Sequence, residues 1–437
     1  MHIDPTEPLW DIVEQHLDEA EFLWSMWERS LDAPDYTLDE VANGPEPRLL
    51  AHVDALVVNG PKVVERWLLP LLADAEAPSA RVSAATLALL NGGFSSDGRI
   101  IHAALTNAET RHAAMIRALE VCECSDLDAY LRPLLSSSQV EAVIAAAQVL
   151  SLRGNALGRA LAPLLSHPHP DVQALGLLAV VHEPPGLHTR TIIRAFDSPH
   201  SNVREAALLA GLALGLPEAW TYRRELGRED GAGSTLEVLA LVGNAHDHEF
   251  LLEALQRPAS RTKALWALGF VGTLSAAEAC LAYLDDKKLA PLAGESFCAI
   301  TGLDLASERL AIDEDEVPHT DDMSLADTED EDLTLRPEHA LPLPDAEGVR
   351  RWWMKQRGHF NSRTRYLRGV PLDFASVFSA LREGPMRRRP PFSLGLWLRT
   401  RGRYTVNTRT FTKRQRAELT QLEILRERNL NVAAPLL

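Results

Sequence analysis

The sequence predicts an all-α protein, an α-solenoid of about seven to eight stacked helical hairpins followed by a small C-terminal α+β appendage. Three observations predict this architecture. Apolar segments recur every 29 to 31 residues along the first two-thirds of the 437-residue chain. Ala-rich helical stretches alternate with breakers that contain Gly and Pro. The C-terminal part carries a charge opposite in sign to that of the remainder.

The repeat is visible in the residue that ends each apolar segment. These residues are Leu105, Leu135, Leu165, Phe196, Leu226, Leu255 and Leu284. An Ala-rich stretch such as residues 202–215 precedes each of them, and breakers such as residues 183–186 lie between them. One hairpin cannot bury its apolar face alone, so neighbouring units must stack. We therefore expect a helix, a short turn and a second helix in each unit over residues 76–305.

The first 75 residues predict longer helices that close the N-terminal end of the stack. A stack of hairpins needs such a cap, because a bare end would expose the apolar core. Trp10, Trp24, Trp27 and Trp67 lie in this segment, and we expect them to be core residues rather than a ligand cage.

The charge is distributed unevenly along the chain. The formal net charge of −17 divides into +15 for the residues from Val349 onwards and −32 for the residues before them. Eleven of the 20 residues from Asp313 to Asp332 are acidic. We expect a disordered acidic linker over residues 306–346 and a basic appendage over residues 347–437. Alternatively, the acidic run folds back and masks the basic surface.

Within the basic appendage, leucines alternate at positions 394, 396 and 398, and Gly402 follows them. This pattern favours a short β-hairpin. A helix is expected from Lys413 to about Asn429. We expect Trp352, Trp353 and Trp397 to anchor the appendage on the last repeat, with an exposed binding platform as the alternative.

Two blocks of sequence resemble a known family. The residue pattern from Asp197 to Gly215 resembles that of short HEAT repeats, of the subtype first recognised in phycobilin lyases. The segments Ala293 to Leu305 and Arg351 to Leu372 resemble a family of uncharacterised bacterial HEAT-repeat proteins. This resemblance implies an α-solenoid with a C-terminal appendage. Members of that family are often encoded beside type VI secretion components, which implies an accessory or adaptor role and supplies no catalytic residue.

The residues that could carry chemistry are few. Cys122 and Cys124 lack the further ligands that zinc needs, and four cysteines are too few for a disulfide scaffold. The turns at 167–169 and 246–249 contain paired histidines, for which a surface metal site is the minor alternative. We expect no cofactor and no enzymatic activity. The chain lacks a secretory signal and any apolar run long enough to span a membrane, so we expect it to be cytoplasmic.

One surface pattern follows from the repeat. Arginines recur at fixed offsets before the repeat markers: Arg99, Arg132, Arg159, Arg190, Arg194, Arg223 and Arg224. These offsets predict an exposed flank of successive second helices, which line the concave face in HEAT-type stacks. Together with Trp352 and Trp353, these arginines are the predicted partner-binding residues. A merely solvated face is the alternative.

These observations predict a protein-binding scaffold, adaptor or chaperone. Its partner would be a protein, such as a secreted effector or a spike component, held in the concave groove. Nucleic-acid binding by the basic segment is the first alternative, although Arg387–Arg389 lie beside Pro390 and Pro391 as in an ordinary exposed loop. A bilin lyase-like enzyme is the second. The sequence alone leaves the partner and the oligomeric state undetermined.

Overall fold

The computed structural model describes residues 7–74, 76–93, 109–184, 186–229, 233–312, 337–426 and 430–436. Most of these residues are helical, and the strands are two residues long. The predicted all-α fold is therefore confirmed at this level. Contact clustering divides the chain into two compact units. Unit 1 contains Met1–Leu31, Leu38–Ala219 and Thr400–Glu418, and unit 2 contains Asp32–Thr37, Trp220–Arg399 and Leu419–Leu437.

Helices occupy most of the N-terminal segment, as predicted. They are α1 (Trp10–Ser30), α2 (Leu38–Asn43), α3 (Pro45–Val58), α4 (Pro61–Val63) and, after a π-helical turn over Val64–Leu68, α5 (Leu69–Ala73). Helix α1 packs against α3. Trp24 and Trp27 are buried, so the prediction that they are core residues is confirmed.

The repeat region consists of helix pairs. The first helices are α6 (Ser79–Asn91), α7 (Glu109–Val121), α9 (Val140–Leu152), α11 (Pro170–Ala179), α13 (Ser201–Leu214), α15 (Gly233–Val242), α17 (Pro258–Val271) and α19 (Ala290–Thr301). The second helices are α8 (Leu127–Leu134), α10 (Leu161–Leu165), α12 (Thr189–Ala195), α14 (Pro217–Glu229), α16 (Ala245–Ala254) and α18 (Leu274–Leu281).

Consecutive first helices pack against each other within each unit. In unit 1 the series runs α6, α7, α9, α11 and α13, and in unit 2 it runs α15, α17 and α19. The repeat markers Leu135, Leu165, Phe196, Leu255 and Leu284 are buried at or just beyond the ends of second helices. Leu105 lies outside the described residues. The period read from the sequence therefore marks real helix pairs.

The C-terminal part of unit 2 does not form the predicted β-hairpin. It contains α20 (Ala346–Gln356), α21 (Phe374–Glu383) and α22 (Arg389–Arg399), and α23 (Thr412–Arg426) follows in the chain. Residues 394–398, expected to be a strand, therefore lie in α22. Phe392, Gly395 and Leu396 are buried together at helical spacing. The apolar residues of this segment satisfy both periods, and tertiary packing selects the helical one. The predicted helix from Lys413 is confirmed as α23.

Two short hairpins occur elsewhere. Strands β1 (Ala311–Ile312) and β2 (Leu343–Pro344) pair antiparallel, as do β3 (Tyr366–Leu367) and β4 (Val370–Pro371). Arg368 and Gly369 connect β3 to β4 with φ of 53° and 80°. Such two-residue turns require a left-handed backbone at both positions, which glycine adopts freely. Pairing of β1 with β2 structures both flanks of the predicted linker, whose acidic centre lies outside the described residues.

The basic C-terminal segment covers helix C-termini in unit 2. The last four carbonyls of a helix have no partner within it and carry partial negative charge. Arg365 donates to Ala240 and Phe270 from Nη2, at 2.8 and 2.9 Å, and to Val271 from Nε, at 2.7 Å. Arg399 donates to Leu241 at 3.1 Å. These two arginines therefore cap α15 and α17.

The backbone of the same segment continues the pattern. The amide of Tyr366 donates to Gly272 at 2.6 Å, just beyond α17. The amides of Arg368 and Gly369 donate to Ala299 and Ile300 in the last turn of α19, at 2.7 and 2.9 Å. The β3–β4 hairpin is thus attached to two neighbouring helix ends by main-chain hydrogen bonds.

In unit 1, residues 400–418 pack on the N-terminal helices rather than on the last repeat. The buried Glu46 carboxylate accepts hydrogen bonds from the Thr412 amide and hydroxyl, at 2.9 and 2.6 Å, and from Trp27 Nε1 at 3.2 Å. Phe411 packs on Trp27 with ring centres 4.7 Å apart. Arg414 donates to the Leu152 carbonyl at 2.8 Å, at the end of α9.

Within the described ranges, no helix is both long and apolar enough to cross a bilayer.

Candidate partner-binding surface

Four of the predicted arginines are exposed in unit 1. Arg132 lies on α8, Arg159 lies in the short 3-10 turn before α10, and Arg190 and Arg194 lie on α12. Each of these second helices buries its apolar side against a first helix. The opposite side therefore faces solvent, as the offsets predict.

None of these four guanidinium groups forms an ion pair with a carboxylate in the described part of the chain. Arg132 Nη1 donates to the Ala156 carbonyl at 3.1 Å, which places α8 beside the connection between α9 and α10. We refer to Arg132, Arg159, Arg190 and Arg194 as the arginine row.

The acidic residue on the same helices is neutralised. Asp128 on α8 accepts from Arg153 Nε at 2.6 Å and from the Asn155 amide at 2.7 Å. Arg153 also donates to the carbonyls of Cys122 and Cys124, at 2.8 and 3.1 Å. It therefore caps the end of α7 and takes no part in the exposed surface. The arginine row is consequently a positive surface on a chain of net charge −17.

The row does not continue into the next repeat. Arg223 is fully buried, so the prediction that it is exposed is wrong. Arg224 forms a two-pronged ion pair with Asp247, with N–O distances of 2.6 and 2.9 Å. Burial tends to raise the pKa of Asp247, but the hydrogen bonds from Arg224 and from the Asn244 amide lower it overall. Arg99 lies outside the described residues.

Of the two tryptophans predicted to bind a partner, Trp353 is buried in unit 2 and Trp352 is half-buried. Trp353 is buried and packs edge-on against Phe297, with ring centres 5.4 Å apart, and against Phe360 at 5.1 Å. Trp352 contacts Phe297 from the other side at 6.2 Å. These contacts agree with the anchoring role and leave Trp353 no surface to offer a partner.

The run Arg387–Arg389 is buried, contrary to the expectation of an exposed loop. The amides of Met386 and Arg387 donate to the carbonyls of Tyr36 and Ala33, at 2.8 and 3.2 Å. These bonds explain why residues 32–37 belong to unit 2. Arg389 Nε donates to Leu381 at 2.5 Å. The main argument for phosphate binding by this run therefore fails, because the three guanidinium groups are buried in the fold.

Arg388 lies at the centre of this buried cluster. Its guanidinium carbon is 4.6 Å from the Trp266 ring centre and 4.5 Å from the Phe270 ring centre, and it pairs with Glu295 at 3.3 Å. Burial lowers the pKa of Arg388, and the charge of Glu295 acts in the opposite direction. A Cβ at Gly269 would lie 2.0 Å from Arg388 Nη2. Glycine at this position therefore admits the guanidinium.

An open cavity of about 410 Å³ adjoins the cluster. Its lining includes Asp32, Glu237, Lys263, Trp266 and Glu338. Trp266 Nε1 donates to Glu237 at 3.0 Å, yet burial raises the pKa of Glu237 above its ordinary value. Glu338 is already paired with Arg387 at 2.8 Å. Charges of both signs line the cavity, so its lining selects no single charge class of ligand.

The histidines of the two metal-like turns, residues 167–169 and 246–249, differ in their surroundings. His167 Nδ1 accepts from the His169 amide at 3.0 Å, as in an ordinary turn. His248 is largely buried, and burial, followed by the nearby charge of Arg365, lowers its pKa to about 4. Burial likewise raises the pKa of the Cys122 thiol to about 11. Among the described residues, no group of three or more His, Cys, Asp or Glu side chains is placed to hold a metal ion.

A scan of known protein-family models gives no match to this chain, and no curated protein is significantly similar to it.

Proposed function

We propose that this protein is an α-solenoid scaffold or adaptor that binds an acidic segment of a protein partner through the arginine row. The observation that carries the proposal is the exposure of Arg132, Arg159, Arg190 and Arg194 without carboxylate partners in the described part of the chain. Guanidinium groups bind carboxylates in a two-pronged geometry. A series of them on stacked helices matches an extended chain that carries several acidic side chains.

The charge of the protein supports a specific partner rather than general attraction to anions. At −17, the chain as a whole repels acidic molecules, so an acidic ligand is favoured only where positive charge is concentrated. Stacked hairpins supply broad, shaped surfaces of the kind that bind proteins. By the family resemblance, the partner would be a type VI effector or spike component and the chain would act as its adaptor or chaperone.

The test reverses the charge of the row. The double variant Arg159→Glu and Arg190→Glu is compared with the control Arg351→Glu and Arg363→Glu, which makes the same charge change at two exposed arginines of unit 2. Tagged proteins are used to capture partners from nuclease-treated extracts of the native host. We expect one or two stoichiometric proteins to be captured by the wild type and by the control, and to be lost from the row variant.

The melting temperatures of both variants should equal that of the wild type, because the altered side chains are exposed and only Arg351 has an ion-pair partner, the exposed Asp345 at 4.0 Å. If the row variant captures the same proteins as the control, the arginine row is not the binding surface. If the wild type captures no protein from the nuclease-treated extract, and retains nucleic acid from a parallel untreated extract, the adaptor proposal is wrong.

A further inference from the structure

Two histidines that are distant in sequence meet at the contact between α1 and α3. His16 lies on α1 and His52 on α3, and their Nδ1 atoms are 3.0 Å apart. The ring centres are 5.1 Å apart and the ring planes form an angle of 63°. Both side chains are half-buried, at a position where the two helices pack closely.

This separation fits two imidazoles on one metal ion. Metal–nitrogen bonds of about 2.0–2.1 Å place two ligand nitrogens roughly 2.9 Å apart at a right angle and roughly 3.4 Å apart at the tetrahedral angle. The observed 3.0 Å lies between these values. The same distance also suits a direct N–H···N hydrogen bond. The geometry thus permits either a shared proton or a shared metal ion between the rings.

The Nε2 atoms of His16 and His52 allow both rings to adopt the tautomer that binds a metal ion through Nδ1. Neither Nε2 atom has a protein partner within the described ranges, and neither is buried without one. Each ring can therefore carry its proton on Nε2, exposed to water, and direct the Nδ1 lone pair at the other ring. A metal ligand must be a neutral imidazole with a free lone pair of this kind.

The charged groups around the pair oppose a second proton. Burial, and then the neighbouring His16, lowers the pKa of His52. Arg48, one turn before His52 on α3, acts in the same direction. Glu19, one turn after His16 on α1, acts in the opposite direction and supplies a negative charge beside the pair. The negative charge of Glu19 favours a cation at this position.

We propose that His16 and His52 form a two-histidine site for a divalent transition metal ion, which cross-links α1 and α3. Two nitrogen donors favour borderline ions, and the usual order of affinity places Cu²⁺ above Zn²⁺ and Ni²⁺. The described residues provide no third side-chain ligand, so water completes the coordination. This proposal is independent of the arginine row.

The experiment uses the full-length chain after treatment with a chelator. Cu²⁺ is titrated calorimetrically at pH 7 in the presence of glycine, which competes for weakly bound ions. We expect one site whose affinity falls at least tenfold in His16→Gln and in His52→Gln. The matched control is His200→Gln, which replaces an exposed histidine. A second control, His167→Gln, removes one of the two histidines of the turn at 167–169. Both controls should bind like the wild type.

Two further measurements separate a metal site from a hydrogen bond. Electron spin-echo spectroscopy of the Cu²⁺-loaded protein should show two equivalent imidazoles, and Cu²⁺ should raise the melting temperature of the wild type but not of the two variants. Equal affinity in the wild type and in both His16→Gln and His52→Gln would overturn the proposal. So would loss of binding in His167→Gln, or a spectrum with one imidazole. Circular dichroism of each variant, recorded without metal, checks that the fold is retained.

Discussion

The capping role of Arg365 allows a quantitative prediction for unit 2. Three short hydrogen bonds join its guanidinium to the carbonyls of Ala240, Phe270 and Val271, at the ends of α15 and α17. Arg365→Met removes all three donors and places an apolar side chain against those carbonyls. Burial lowers the pKa of Arg365 to about 9, which still leaves the group charged at pH 7.

The magnitude follows from the number of acceptors that lose their donors. A buried acceptor left without a donor costs about 1–3 kcal/mol. Three of them cost roughly 3–9 kcal/mol, and part of this is offset because a charged group no longer has to be buried. We therefore expect Arg365→Met to lower the free energy of unfolding by about 3 kcal/mol. The control is Arg363→Met, which removes the same charge from an exposed side chain two residues earlier and should change stability by less than about 0.5 kcal/mol.

Chemical denaturation followed by circular dichroism measures the loss, and hydrogen exchange locates it. Peptides that cover α15 and α17 should exchange faster in Arg365→Met, whereas those of α1 and α3 should not change. If Arg365→Met and Arg363→Met unfold at the same denaturant concentration, the capping bonds do not contribute to stability. Faster exchange throughout the chain would show that the effect is not local to the capped helices.

Further predictions follow from other buried groups. Alanine favours helices over glycine by up to about 1 kcal/mol. Gly269→Ala should nevertheless destabilise the protein, because the added Cβ would collide with Arg388. The control Gly395→Ala, whose Cβ would meet only ordinary contacts, should be neutral or stabilising in thermal unfolding. His248 has a pKa of about 4 in the fold and its ordinary pKa of about 6.5 in the unfolded chain. The unfolded chain therefore binds a proton more readily, and the free energy of unfolding should fall by up to roughly 3 kcal/mol as the pH drops from about 6.5 to 4. His248→Gln should flatten this dependence in denaturation curves measured between pH 4 and 7, whereas His246→Gln, which is exposed, should not; an unchanged slope in His248→Gln would contradict the assignment.

The sequence was sufficient to predict the helix pairs and much of the arginine row. A period of about 30 residues is a local property, because each hairpin repeats the same apolar spacing whatever it packs against. The exposure of Arg159 and Arg190 follows from that spacing alone, since the apolar positions fix which side of the helix is buried. Arg223 fails the same reasoning, because it is fully buried although its offset from the repeat marker equals that of the exposed Arg132.

Other features had no signal in the sequence. His16 and His52 are 36 residues apart and share no motif, so only the packing of α1 on α3 brings them together. The choice between strand and helix at residues 392–398 was ambiguous, because the apolar residues satisfy both periods and burial decides between them.

The sequence by itself determined that the chain is helical, that its first two-thirds are repetitive and that its last part is basic. Only the tertiary structure decided what that basic charge does. A count of arginines gives the same value whether the side chains face solvent or helix ends. In the fold, Arg365 and Arg399 lie on carbonyls at helix C-termini, and Arg388 lies over the rings of Trp266 and Phe270. The physical reason is that helix C-termini carry partial negative charge and need donors, and the chain supplies them from far along its sequence.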